Sequence, residues 1–195
     1  MIENNNWKGH TFTKNGTFKD KFDFAANKQE QDILLIKSLF PDLDKVQTCS
    51  DYQDRKGGDY AGVNEEGLLE YIDIKRREPG SSKYWKRGAE VAIELESVVT
   101  GGKYNIPEGR IGWTLDDKKQ TDWIIYAFDP SDSPLTFHVP FQVLKDTVKE
   151  HLEEWKTKHR VFYQDSGQWQ SSAMFIPLYI IEQLCRKTWV KYTNM

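Results

Sequence analysis

The run at residues 123–128 constrains this chain most. Trp123, Ile124, Ile125, Tyr126, Ala127 and Phe128 follow one another without a polar residue, and Asp122 and Asp129 close the run at either end. Successive side chains of a strand point to opposite faces. A strand that is apolar at every position must therefore be covered on both sides, so it belongs inside a layered sheet. A membrane span would need about 18 to 20 apolar residues, and no such run occurs in the sequence.

Other segments fill in the layers. Residues 25–40 carry Gln29, Ile33, Ile36 and Phe40 on one helical stripe, and Pro41 ends it. Residues 45–50 read as a short strand, followed by a polar turn at 51–58. Residues 68–76 form the clearest strand, with Leu68, Glu70, Ile72 and Ile74 on one face and Leu69, Tyr71, Asp73 and Lys75 on the other. Residues 91–99 and 135–139 are further strands, and 101–109 are a Gly- and Pro-containing loop. Residues 141–158 are an amphipathic helix, 161–163 and 173–176 are two late strands, and Pro177 opens a last helix to Cys185. This order predicts an α+β or α/β protein rather than an all-β protein or a helical bundle.

A length of 195 residues suits a single domain, residues 1–195. The sequence divides it into an irregular lead-in (1–24), a core (25–128) and an accessory extension (129–195). With 13% aromatic residues and seven Trp, it is no disordered chain. The net charge of -3, from 27 basic and 30 acidic residues, excludes a polycation that coats nucleic acid unselectively. The N-terminus has no apolar stretch of the signal-peptide kind. Cys49 and Cys185 lie far apart without CxxC spacing, which predicts reduced thiols and a cytoplasmic setting. The four His form no metal-ligand pattern, and no Walker loop, GxSxG or GxGxxG is present. Any catalysis must rest on carboxylates and lysines.

One constellation fits that requirement. Gly57, Gly58 and Asp59 are followed, fourteen residues after Asp59, by Asp73, Ile74 and Lys75. An acid, any residue, then Lys occurs five times, at Asp54, Asp73, Asp116, Asp117 and Glu154. Only at Asp73 does it fall on an apolar strand, where a period of two turns both side chains to one side. Hydrolysis of a phosphodiester needs a hard cation held by carboxylate oxygens, and a positive group beside the phosphate. Asp59 and Asp73 are the candidate metal ligands, with the main-chain carbonyl of Ile74 as a third oxygen. Lys75 is the candidate for orienting water or offsetting phosphate charge. Glu30, on the preceding helix, is a fourth candidate catalytic residue.

In these residues the chain resembles the PD-(D/E)XK nuclease superfamily, over roughly residues 25–128. That superfamily includes restriction enzymes, archaeal-type Holliday junction resolvases and phage nucleases, and many members serve phages, defence or repair. The resemblance implies an α/β fold with a mixed central β-sheet flanked by helices, a restriction-endonuclease-like core followed here by a C-terminal helix-strand extension. It also implies a Mg²⁺-dependent (or Mn²⁺-dependent) endonuclease or exonuclease with Asp59, Asp73, Lys75 and, less closely matched, Glu30 as catalytic residues. Two departures stand out. Gly58 precedes Asp59 where the family often has Pro, and no helical pattern follows Lys75, so the usual crossover helix is short, displaced or replaced by the strand at 91–99.

The segment 75–87 adds a substrate face. It holds six basic residues and one acid. Arg76, Arg77, Lys83, Lys86 and Arg87 are candidate phosphate contacts and Trp85 a candidate stacking platform, for DNA first and RNA second. Lys118 and Lys119 could form a second contact loop, and Gln47 and Gln53 could orient substrate. Glu94 and Glu96, taken to share a strand face, are further candidate metal ligands. A homodimer would suit a symmetric DNA substrate. The rival readings are a catalytically silent nuclease-like scaffold that binds nucleic acid or a protein partner, and an aromatic-rich carbohydrate-binding or structural protein.

Overall fold

The computed structural model describes residues 18–50, 53, 57–77, 88–128 and 136–193, with side chains from residue 28 onward. It is a mixed α/β structure with two sheets and three long helices. None of the described helices is long and apolar enough to cross a membrane.

Helix α1 (Phe18–Leu39) begins seven residues before the predicted start, inside what reads as irregular lead-in. Neither Gly nor Pro interrupts 18–39, so nothing local opposes an earlier start. Its last bond runs from Phe40 N–H to the Ile36 carbonyl, and Pro41 follows. Strands β1 (Asp44–Thr48), β2 (Tyr60–Val63) and β3 (Leu69–Arg76) then form an antiparallel meander. The central sheet has the order β1-β2-β3-β6-β7, where β6 is Trp123–Ala127 and β7 is Thr136–Pro140. β6 runs parallel to β3, with Asp73 opposite Ile124 and Lys75 opposite Tyr126, and β7 is antiparallel to β6. The central sheet thus takes its fifth strand from beyond residue 128.

A parallel pair needs a long crossover, usually helical. Among the described residues this crossover holds no helix beyond the single turn at Gly102–Tyr104. It holds β4 (Glu90–Val98) and β5 (Arg110–Ile111) instead. They join β8 (Val161–Asp165) and β9 (Gln170–Pro177) in a second, antiparallel sheet of order β5-β4-β9-β8. Helix α2 (Phe141–Lys158) has the predicted bounds. Helix α3 (Leu178–Thr193) continues past Cys185, since no Gly or Pro intervenes.

Both faces of the central sheet are buried, as the apolar run at 123–128 requires. Ile72, Ile74, Ile125 and Ala127 pack against Ile33 and Ile36 of α1. On the other face Ile124 and Tyr126 join the larger core with Val91, Ile93, Met174 and Ile176 of the second sheet, and Leu144, Val148 and Ile181 of α2 and α3. The second sheet meets the first near β6, where the Tyr126 hydroxyl reaches the Ala92 carbonyl (3.4 Å). Asp73 and Lys75 lie on this second face of β3.

A candidate active site on strand β3

Asp59 enters the site through its glycines. Gly57 N–H donates to the Gln53 carbonyl, and the Gly57 carbonyl accepts from Thr121 Oγ1. Gly58 has φ +152°, and a Cβ there would lie 2.7 Å from the Ile72 carbonyl oxygen. Only glycine lets the turn approach β3 so closely. The next residue then delivers its carboxylate onto β3, where Asp59 Oδ2 accepts from Ile74 N–H (3.1 Å). That backbone contact is the reason for a glycine before Asp59.

The position of Ile74 follows from the pairing. β2 pairs with β3 only as far as Tyr60 opposite Ile72. Two residues on, Ile74 still faces the β2 side, and its N–H meets Asp59 rather than a strand. N–H and C=O of one strand residue point to the same side. The Ile74 carbonyl therefore points to the side from which Asp59 approaches.

Asp73 is buried (7% exposed). Its Oδ1 lies 2.7 Å from Lys75 Nζ, yet it receives no hydrogen bond of acceptable direction. The Lys75 charge is the partner of that oxygen. The Asp59 carboxyl lies beside that of Asp73. Burial first, and the Asp73 charge second, raise the Asp59 pKa above its ordinary value, against the opposing pull of Lys75. Burial acts to lower the Lys75 pKa, but Asp73, Asp59 and Glu94 outweigh it and the net shift is upward. Lys75 is accordingly an ammonium at neutral pH, a source of positive charge and not a base.

The second sheet closes over this cluster. Lys75 Nζ sits 4.6 Å from the centre of the Trp113 ring. Trp113 N–H donates to Glu94 Oε2 (2.9 Å), which fixes Glu94 beside Lys75. Glu96 is elsewhere. Glu94 pairs with Ala173 and Glu96 with Ser172, so Leu95 is an extra residue in β4. Adjacent residues of β9 face opposite ways, so this bulge puts the two acids on opposite faces. They do not share a face, as simple alternation predicts, and Glu96 accepts from Ser172 Oγ instead (2.9 Å).

The sequence points to Glu30 as the helix acid. Glu30 is exposed and makes no hydrogen bond or ion pair among the described residues. Two positions on, Asp32 is 2% exposed, and it accepts from Tyr60 Oη (2.7 Å) and Arg76 Nε (2.6 Å). Tyr60 follows Asp59 and Arg76 follows Lys75, so Asp32 ties α1 to both strands that carry the site. It does so from the opposite face of the sheet. Arg76 is consequently turned away from Asp73 and Lys75 and committed to Asp32, rather than offered to a phosphate. Arg77, two residues beyond Lys75, is on the site's face, with its guanidinium 4.8 Å from the Phe175 ring centre. Lys83, Trp85, Lys86 and Arg87 lie outside the described residues. Gln53 is used in the turn, where its Oε1 accepts from Ser50, and Gln47 is exposed on β1.

Two carboxylates and a strand carbonyl are a hard-oxygen donor set suited to Mg²⁺ or Mn²⁺. The mutual crowding of the Asp59 and Asp73 carboxyls fits a cation between them. Among the described residues, no three His, Cys, Asp or Glu side chains form a ready-made metal cluster, so such an ion would keep several waters, as Mg²⁺ does. No family model matches the chain, and no curated protein or solved structure matches it.

Proposed function

We propose that the protein is a metal-dependent nuclease that hydrolyses phosphodiester bonds in DNA. One observation carries this reading: the buried Asp73 and the charged Lys75 share one face of β3, and the half-buried Asp59 is brought against them from the turn before β2. A divalent cation would be held by Asp59, Asp73 and the Ile74 carbonyl, and it would supply charge neutralisation and a more acidic bound water. Ile74 N–H holds Asp59 in place from the backbone. Lys75, kept protonated by three carboxylates and covered by Trp113, supplies positive charge where a pentacovalent phosphate would develop negative charge. Among the described residues, Glu94 beside Lys75 could accept a hydrogen bond from a water at the site. Arg77 extends the same face as a phosphate contact.

The silent-scaffold reading draws on the Asp73–Lys75 ion pair, which satisfies both charges without a metal. The two are separated by incubating plasmid, linear and branched DNA, and RNA, with Mg²⁺, Mn²⁺ or EDTA. Metal-dependent cutting is expected, lowered at least ~100-fold in Asp73→Ala and in Lys75→Ala. Binding without cutting under every condition would establish the scaffold instead, and variants that cut as well as wild type would remove these residues from the mechanism.

A further inference from the structure

The second sheet has one face in the large core and one face turned out beside the site. Register assigns the outward face. Ala92 and Glu94 of β4 lie opposite Phe175 and Ala173 of β9, and Ala173 lies opposite Phe162 of β8. On this face the aromatic rings stand among small residues, Ala92 and Ala173, and Phe162 is 45% exposed. Two rings stand between two cations. The Arg77 guanidinium lies 4.8 Å from the Phe175 ring, Phe175 meets Phe162 edge-on at 5.3 Å, and the Arg160 guanidinium lies 5.3 Å from Phe162. The row starts at the site itself, because Asp73 and Lys75 share one face of β3 and Arg77, just past its end, continues the alternation. Two acids share the outer face. Glu94 faces Lys75, and Glu90 stands opposite Pro177 at the strand end.

The geometry points to a track for unpaired nucleotides: a single strand leaving the site runs along Arg77, Phe175, Phe162 and Arg160. Guanidinium groups at both ends with rings between them suit a short stretch of unpaired strand, since a ring stacks on any base and a guanidinium either binds phosphate or stacks. A base pair cannot offer its face to Phe162 while it is stacked in a duplex, so the occupant is single-stranded. The inference rests on the nuclease reading for the place of the scissile phosphate. Its binding prediction can be tested apart from cleavage.

The test titrates the full chain, in EDTA to suppress cutting, into fluorescein-labelled oligothymidylate, an abasic oligomer of equal length and a blunt duplex. Anisotropy should show the oligothymidylate bound more tightly than either of the others. Phe162→Ala should weaken it about 5- to 150-fold, the range for loss of one stacked base, and should barely change the abasic oligomer. Arg160→Ala should weaken both single strands and lower the salt slope by about 0.7. Phe162→Leu, which keeps an apolar side chain but no ring, guards against misfolding and should also lose affinity. Equal binding of oligothymidylate by wild type, Phe162→Ala and Phe162→Leu overturns the track. So does a blunt duplex that binds as tightly as the single strand. Metal-dependent cutting alongside either result leaves the nuclease reading standing. Phe162-dependent binding by a protein that never cuts supports the track and removes the nuclease reading.

Discussion

Asp32 offers the sharpest test of how the site is held. Its carboxylate is 2% exposed and serves two partners, the Tyr60 hydroxyl at 2.7 Å and Arg76 Nε at 2.6 Å. Asp32→Ala would strand both. Removing one member of a buried ion pair costs about 3–5 kcal/mol, because the remaining charge is left uncompensated. The Arg76 side chain is 26% exposed, so water can recover part of that loss. The Tyr60 residue is only 6% exposed, and its hydroxyl loses its acceptor. The expected cost is about 3 kcal/mol, near the low end of that range. For a domain of this size it corresponds to a fall of about 6–12 °C in melting temperature. Urea unfolding of wild type, Asp32→Ala, Arg76→Met and Asp32→Leu/Arg76→Met would measure it. The double variant should recover most of the loss, since apolar replacement of a whole buried pair is often neutral. A cost below 1 kcal/mol for Asp32→Ala would refute the reasoning, and so would a double variant as damaged as the sum of the singles.

Three further outcomes are expected. Gly58→Ala should lose about 1–3 kcal/mol of stability through its φ of +152° and the clash with Ile72, and calorimetry should find its Mg²⁺ affinity reduced as Asp59 shifts. The raised Asp59 pKa means that the folded state holds this proton more tightly than the unfolded chain does. That stabilisation is complete below the ordinary carboxylate pKa and is lost as pH rises through the folded value. Metal-free protein should therefore melt lower as pH climbs past the carboxylate range, whereas Asp59→Asn should melt higher than wild type at pH 7 and gain nothing from added Mg²⁺. Lys145 and Lys149 of α2 hold Asp117 at 2.9 and 2.7 Å and depress its pKa to about 2. The loop that carries Trp113 should stay clamped above the usual carboxylate range and loosen only as pH falls toward about 2, an onset that Asp117→Asn should abolish in amide exchange of residues 114–119.

Short-range pattern carried much of the fold. The apolar run at 123–128 required cover on both faces, and it has α1 on one and the second sheet with α2 and α3 on the other. The alternation at 68–76 placed Ile72 and Ile74 opposite Asp73 and Lys75, as observed. What stayed hidden depends on partners distant in sequence. Arg110 and Ile111 carry no strand signal because two residues have no periodicity, and only pairing with Glu96 and Val98 makes them a strand. Gln170, Ser171 and Ser172 look polar and unstructured but are paired along β8. The bulge at Leu95 separates Glu94 from Glu96, which strict alternation cannot anticipate. Asp32 was passed over for Glu30, although its place one position before Ile33 and four before Ile36 marks it as near the buried stripe. An acid beside the apolar face of a helix was the signal available.

The second sheet is built from chain ends far apart in sequence. β4 pairs on one side with its neighbour β5 and on the other with β9, some eighty residues later. Such pairings form slowly, because a long loop must close before any contact rewards it. While the chain is being synthesised, the meander β1–β3, with Asp59, Asp73 and Lys75, is complete well before β9 emerges. Until then β4 has no partner along its β9 edge, and Glu94 and Trp113 have no settled frame from which to cover Lys75. The order of synthesis thus makes the cover of the Asp59–Asp73–Lys75 cluster one of the last parts to set. A chain stalled before residue 170 would carry the acids and the lysine without the wall that encloses them.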